Sequence, residues 1–211
     1  MSFASRADAG RQLAQFLRDE GIAVDLVLGL PRGGVVVAAE VARSFHCPLD
    51  VLVVRKIGHP INREFAVGAI AEPDIVLLDD KSLRRYPAAQ AEMNEIIAEE
   101  VHRLRDYEAQ FHYAGRPNLA GRAVLLVDDG IATGATTEAA VLSAKKQKAD
   151  YVVAAAPVAS LDAIKRLERV ADDVAILQAD PDFGAVGQYY TEFSQTSDEE
   201  VLALLHASQC T

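Results

Sequence analysis

Tryptophan is absent from the 211 residues, aromatic residues make up only 6% of them, and cysteine and methionine occur twice each. Cys47 and Cys210 lie far apart in the chain. They form neither a disulfide framework nor a metal-ligand spacing, so a reduced compartment and a cytoplasmic location are expected. Positive charge is scarce as well, with 21 basic against 31 acidic side chains and a net charge of −10. That balance argues against a main task of gripping nucleic acid, which needs a net basic face. A local basic patch for a small anion stays open. Apolar runs stop at about eight residues, well short of the roughly 20 that span a bilayer, and no membrane partner is expected. The opening MSFASRADAGRQLAQF mixes charge with apolar residues and lacks the apolar core of a signal peptide. Without repeats, low-complexity tracts or a clear linker, the expectation is one domain over residues 1–211.

Half of the residues are apolar, enough for a sizeable core. Residues 5–20 read as an amphipathic helix with Ser5 at its cap and Gly21 past its end. Strands are expected at Asp25–Leu30, Leu49–Val54, Ile75–Leu78, Ala123–Val127, Tyr151–Pro157 and Val174–Leu177. Helices are expected at 34–45, 87–112 and 136–147, and Ser160 is expected to cap another that runs through Val170. A last helix begins at Ser197, where Glu200 three residues on completes a capping box. This alternation predicts an α/β fold, a mostly parallel sheet with helices on both faces.

The segment VLLVDDGIATGATT, Val124 to Thr137, carries most of the chemistry. An apolar strand ends in two carboxylates, and a loop of small residues then opens a helix. In open α/β sheets ligands bind at such carboxyl ends of strands. Gly130, Ala132, Gly134 and Ala135 leave backbone amides uncovered, and Thr133, Thr136 and Thr137 add hydroxyls at a helix N-terminus that favours phosphate. Asp128 and Asp129 suit sugar hydroxyls, or waters on a divalent metal. A phosphate pocket beside a hydroxyl-binding acid pair describes a ribose 5-phosphate site. No GxxxxGK[ST] or GxGxxG pattern is present. The competing readings are a receiver-like phosphoacceptor and a plain strand-to-helix turn capped by threonines.

Two further segments add anion chemistry. GLPRGG, Gly29 to Gly34, follows the first strand. Gly33 and Gly34 allow backbone amides close to an anion, and Arg32 offers a fork of donors. RKIGHPINREFAVGAIAE, Arg55 to Glu72, is long and carries Arg55, Lys56, His59 and Arg63. It reads as an irregular lid able to clamp a pyrophosphate when shut. A solvated charged loop is the plainer alternative, and for His59 taken alone the better one. The repeated strand-plus-DD pattern at Asp79 and Asp80 lacks a glycine–threonine loop and reads as a solvated strand end.

The Val124–Thr137 segment resembles the phosphoribosyl pyrophosphate motif of type I phosphoribosyltransferases, over about thirteen residues. The resemblance implies a Rossmannoid core with a small hood. It assigns Asp128 and Asp129 to the ribose hydroxyls, with Mg²⁺ held through water, and Ala132, Thr133, Gly134, Ala135 and Thr136 to the 5-phosphate. It assigns GLPRGG to the pyrophosphate, often through a non-proline cis peptide beside Arg32, and Lys56 to the leaving group. VRK is most similar to the arrangement in orotate phosphoribosyltransferases. The implied hood covers about 179–211, where Phe183 is the positional match for a base-stacking aromatic and Phe193 a core plug. Ala132 stands where 6-oxopurine enzymes carry an acid, which speaks against that mode of purine recognition. VRK, FAVGAIAE, the DD loop and GQYY…F…Q…D are also similar to a small bacterial family of predicted phosphoribosyltransferases without an assigned acceptor.

The resemblance implies transfer of ribose 5-phosphate from phosphoribosyl pyrophosphate to a nitrogenous base, with Arg32, Lys56, Asp128 and Asp129 as the catalytic set and a homodimer as the assembly. The principal rival is a non-catalytic sensor of phosphoribosyl pyrophosphate. A hydrolase using the same pocket is the third reading.

Overall fold

A computed structural model describes residues 2–61, 66–79, 90–112 and 115–209 of the chain. Helix α1 (Arg6–Asp19) starts where Ser5 Oγ accepts from the amide of Asp8 and ends before Gly21, whose φ is 70°. Its apolar residues Leu13 and Leu17 recur at helical spacing and are fully buried. Strand β1 (Leu26–Gly29) leads through a cis Pro31–Arg32 peptide into α2 (Gly33–Phe45) and then β2 (Leu49–Val51). After an excursion described below, β6 (Ala123–Val127), α4 (Ala135–Lys146), β7 (Tyr151–Ser160), α5 (Leu161–Leu167) and β8 (Asp173–Asp180) alternate. A short 3₁₀ turn (Val186–Tyr189) and α6 (Asp198–Gln209) complete the chain.

The five-stranded sheet has the order β2-β1-β6-β7-β8, and every pairing is parallel. Successive strand residues point to opposite sides: Val27, Leu125 and Val153 join the core under α1, α2 and α6, while Leu26, Leu28, Val124 and Leu126 join that under α4 and α5. The α/β expectation is met. The chain leaves β1 toward β2 and returns to β6 on the other side, so the topology reverses between β1 and β6. Gly29 pairs with Val127, and Leu30 N donates to Val127 O. The carboxyl ends of the two strands are therefore level.

The excursion differs from the irregular lid expected at 55–72. Strands β3 (Val54–Gly58), β4 (Ala66–Ala71) and β5 (Ile75–Leu78) form a separate antiparallel sheet, followed by α3 (Gln90–Phe111). Glycine, proline and charge suggested a loop, but β4 is almost wholly buried: Ala69 and Ala71 pack with Ala139 and Ala140 of α4. A strand buried on both faces by small residues shows no alternation to read. The expected strand Leu49–Val54 is also divided. Val53 N donates to Glu72 Oε1 at 3.0 Å, and the chain passes there from one sheet to the other. Asp79 follows β5, while Asp80 lies outside the described residues.

The expected hood segment divides as well. Residues 189–192 join the first residues of the chain, with Phe3 N donating to Tyr189 O and Thr191 N to Phe3 O. Helix α6 instead packs against α2 and β2, and Ser197 Oγ accepts from Glu200 N at its start.

Candidate active site

Because β1 and β6 end level, the loops that follow them face one another. Together with β3 and α3 they enclose a cleft of about 910 Å³. Its floor is Leu30, Pro31, Arg32 and Gly33 from the first loop and Asp128 to Gly134 with Thr136 from the second. Val54, Arg55, Lys56 and Gly58 of β3 with Ala66 of β4 form one wall, and Glu99, Glu100 and Arg103 of α3 another; Val186 closes the side.

Two carboxylates side by side repel, and burial adds to that. Burial and the neighbouring Asp129 push the Asp128 carboxyl up to about 8, while the Asp129 amide and the charges of Lys56 and Arg6 pull the other way. The Asp129 amide donates to Asp128 Oδ1 at 2.8 Å. Asp129 itself is held from the far side: Arg6 Nε donates to its Oδ2 at 2.6 Å, and Tyr190 Oη donates to its backbone oxygen at 2.5 Å.

The small-residue loop is held by its carbonyls. Ser160 Oγ donates to Ala132 O at 2.6 Å, and Arg166 Nη1 donates to Thr133 O at 3.3 Å. Gly134 precedes α4 at φ 74°, a left-handed conformation that a side chain disfavours. With those carbonyls occupied and Ala135 N donating to Thr133 Oγ1 at 3.5 Å, the next amides of the first helical turn, which have no intrahelical partner, suit an anion.

In the opposite loop a Cβ on Gly33 would overlap Asp129 Oδ2 and stand 2.7 Å from Arg6 Nε. A side chain there would have to displace the Asp129 carboxylate and the Arg6 guanidinium from where they meet. Gly34 lies against Val127 O and the Asp128 backbone rather than on the cleft wall. Arg32 lines the cleft, and its Nη1 is 3.6 Å from Asp198 Oδ1 at the start of α6.

The structure thus brings Arg32, Gly33, Arg55, Lys56, Asp128, Asp129, Ala132, Thr133, Gly134 and Thr136 to one cleft. Arg55 is already engaged, its Nε donating to Glu100 Oε2 at 2.6 Å and its guanidinium lying over the Tyr107 ring. Four expected contributors are not on the cleft wall. His59 is buried, with Nδ1 accepting from Ile61 N. Phe183 stacks on Tyr189 instead of facing a base, because the chain turns it into the cluster with Phe3 and Tyr190. Ala135 and Gly34 sit behind their loops in the first turns of helices. Arg63 lies outside the described residues. Sequence reasoning missed Arg6, Glu99, Glu100, Arg103 and Val186. Each belongs to an amphipathic or irregular stretch, and no local signal marked it.

The family model "Phosphoribosyl transferase domain" matches residues 4–193. Proteins named "Putative phosphoribosyl transferase" from two strains of Mycobacterium tuberculosis, H37Rv and CDC 1551 / Oshkosh, are 46% identical over 204 residues. That match covers 96% of this chain and 46% of each relative, so the chain spans about half the length of the curated relatives it matches. The crystal structure of TT1426 from Thermus thermophilus is 43% identical, with a TM-score of 0.80 over 97% of this chain and 98% of that one. A hypothetical protein from Neisseria gonorrhoeae shares the fold at 14% identity, with a TM-score of 0.52 and 98% of both chains covered. With the motif of β6, the cleft and a family match across most of its length, the chain belongs to the phosphoribosyl transferase domain family.

Proposed function

We propose that the cleft binds phosphoribosyl pyrophosphate and transfers its ribose 5-phosphate to a nitrogenous base, releasing pyrophosphate. The observation that carries this reading is the level ending of β1 and β6, which sets the acid pair, the loop at the start of α4 and the Arg32 loop around one cavity. In it the 5-phosphate meets the loop Ala132–Thr136, the ribose hydroxyls donate to Asp128 and Asp129, and the pyrophosphate meets Arg32, Lys56 and the amide at Gly33. The base takes the remaining space beside Ile131 and Val186, where Ala132 offers no acid.

The reaction so read is a displacement at C1 of the ribose. A ring nitrogen of the base forms the new bond as the bond to pyrophosphate oxygen breaks, and the electron pair leaves with the pyrophosphate. No side chain need act as nucleophile. Arg32 and Lys56 stabilise the departing negative charge, while the 5-phosphate loop and acid pair hold the sugar in line. Among the described residues no group of three or more His, Cys, Asp and Glu side chains stands where it would hold a metal ion. The donor set nonetheless fits Mg²⁺, which keeps several waters and is held by one or two carboxylates plus substrate phosphates. Asp128 and Asp129 would hold it, and when bound it would neutralise charge on the pyrophosphate.

Calorimetric titration with phosphoribosyl pyrophosphate and Mg²⁺ tests the reading, on the wild type and on Asp128→Ala/Asp129→Ala. Binding by the wild type and a loss of at least about tenfold in the double variant are expected. A folded wild type that does not bind overturns it. Pyrophosphate release is then followed across a panel of bases: release that needs a base supports transfer, binding without release points to a sensor, and release without a base points to a hydrolase.

A further inference from the structure

Arg6 belongs to no motif and is absent from the cleft wall, yet its side chain, only 10% exposed, ends at the acid pair. Nε donates to Asp129 Oδ2 at 2.6 Å, Nη1 donates to the carbonyl of Ser194 at 2.7 Å, and the guanidinium carbon stands 3.9 Å from the centre of the Phe193 ring. A planar guanidinium with two anchors and a stacked face has little freedom left. Tyr190 Oη holds the backbone oxygen of the same aspartate at 2.5 Å, and its ring stacks on Phe193. Asp129 is thus gripped at side chain and backbone by residues 123 and 61 positions away. Gly33 closes the other side, since a Cβ there would overlap Asp129 Oδ2. The bond to Arg6 uses one carboxylate oxygen, and a carboxylate has acceptor capacity beyond one donor.

We propose that Arg6 is a positioning residue: it sets the direction of the Asp129 carboxylate toward the ribose hydroxyls, and Ser194 and Phe193 set the direction of Arg6. The inference rests on the reading that the acid pair holds the ribose. Its consequence is selective. Arg6 supports ligands that carry the ribose diol, and it contributes little to a ligand made only of phosphates, which meets Arg32, Lys56 and the loop amides.

The intact chain is titrated, with Mg²⁺, against phosphoribosyl pyrophosphate and separately against inorganic pyrophosphate. The proteins are the wild type, Arg6→Gln, Arg6→Lys, Asp129→Asn and Arg6→Gln/Asp129→Asn. Arg6→Gln is expected to weaken phosphoribosyl pyrophosphate by about tenfold and inorganic pyrophosphate by less than about twofold. Arg6→Lys recovers part of the loss. In the Asp129→Asn background, Arg6→Gln changes the first ligand by less than about twofold, because the two residues act as a unit. Equal weakening of both ligands, no weakening, or additive effects of the two substitutions overturn the proposal. Should Arg6→Gln fail to fold, Phe193→Leu carries the same comparison: a selective loss of about threefold supports the proposal, and an equal or absent loss overturns it. A wild type that does not bind phosphoribosyl pyrophosphate fails the functional reading itself, and that outcome is visible before any substitution is compared.

Discussion

His112, just past α3, has only 4% of its side chain exposed, with Nε2 2.8 Å from Glu72 Oε2 and Nδ1 3.6 Å from Asp50 Oδ1. Burial opposes its charge, but the nearby Asp50 and Glu72 carboxylates, the latter hydrogen-bonded to Nε2, outweigh that and push the imidazole from 6.5 up to about 9. Its pKa is raised on folding, so the full stabilisation is present below about pH 6.5 and is lost as pH rises through about 9. A shift of that size corresponds to roughly 3 kcal/mol. The stability gap between wild type and His112→Gln should shrink by about that amount between pH 6 and 10, read from urea midpoints at each end. Taking the gap between the two proteins cancels groups they share. Asp128 is one of these, for its raised carboxyl also favours the folded state less as pH rises. A gap that does not change with pH would show that His112 is uncharged in the folded protein.

At the scale of elements, the turn from β7 into α5 does two jobs through one hydroxyl. Ser160 Oγ accepts from Ala163 N at 3.0 Å as the cap of α5, and donates to Ala132 O at 2.6 Å in the loop before α4. Ser160→Ala is expected to destabilise the chain by about 1 kcal/mol, as the loss of a helix cap does. Releasing the Ala132 carbonyl should also weaken phosphoribosyl pyrophosphate by about threefold to tenfold, measured by titration below the thermal transition. A stability loss with unchanged affinity would mean that the cap matters and the tie to the loop does not. The antiparallel sheet is joined to α3 in a comparable way, since Arg55 of β3 and Arg103 both pair with the buried Glu100.

Across the whole molecule, residues distant in sequence meet behind the acid pair. Phe3 is 1% exposed, packs on Tyr190 with ring centres 5.5 Å apart, and exchanges backbone bonds with Tyr189 and Thr191. Phe3→Ala removes a buried aromatic and should lower stability by about 3 kcal/mol or more, measured by denaturant unfolding. Since Arg6 and Tyr190 reach Asp129 from the same junction, the folded variant should also bind phosphoribosyl pyrophosphate less tightly. Charge is distributed at this scale too. In a chain of net charge −10, the cleft gathers Arg32, Arg55, Lys56 and Arg103 beside Glu99, Glu100, Asp128 and Asp129, so its cations match its acids in number although the chain as a whole is acidic.

Signals that act over one or two turns were legible in the residues themselves. Ser5 and Ser160 cap the helices they were expected to cap, Gly21 follows α1, and the acid pair does sit between a buried strand and the start of a helix. The expectation of a cis peptide beside Arg32 met Pro31–Arg32. Contacts that depend on sheet order carry no such mark. Arg6 reads as one more cation on an amphipathic helix until the order β2-β1-β6-β7-β8 brings it within 2.6 Å of Asp129. The small residues of β4 read as a loop until α4 covers them, and Phe183 reads as a base-stacking ring until Tyr189 takes its face. A cap or a glycine turn is enforced by the atoms of its immediate neighbours. Which charges and faces meet across more than a hundred residues follows from burying both sides of a parallel sheet, and only the assembled layers decide it.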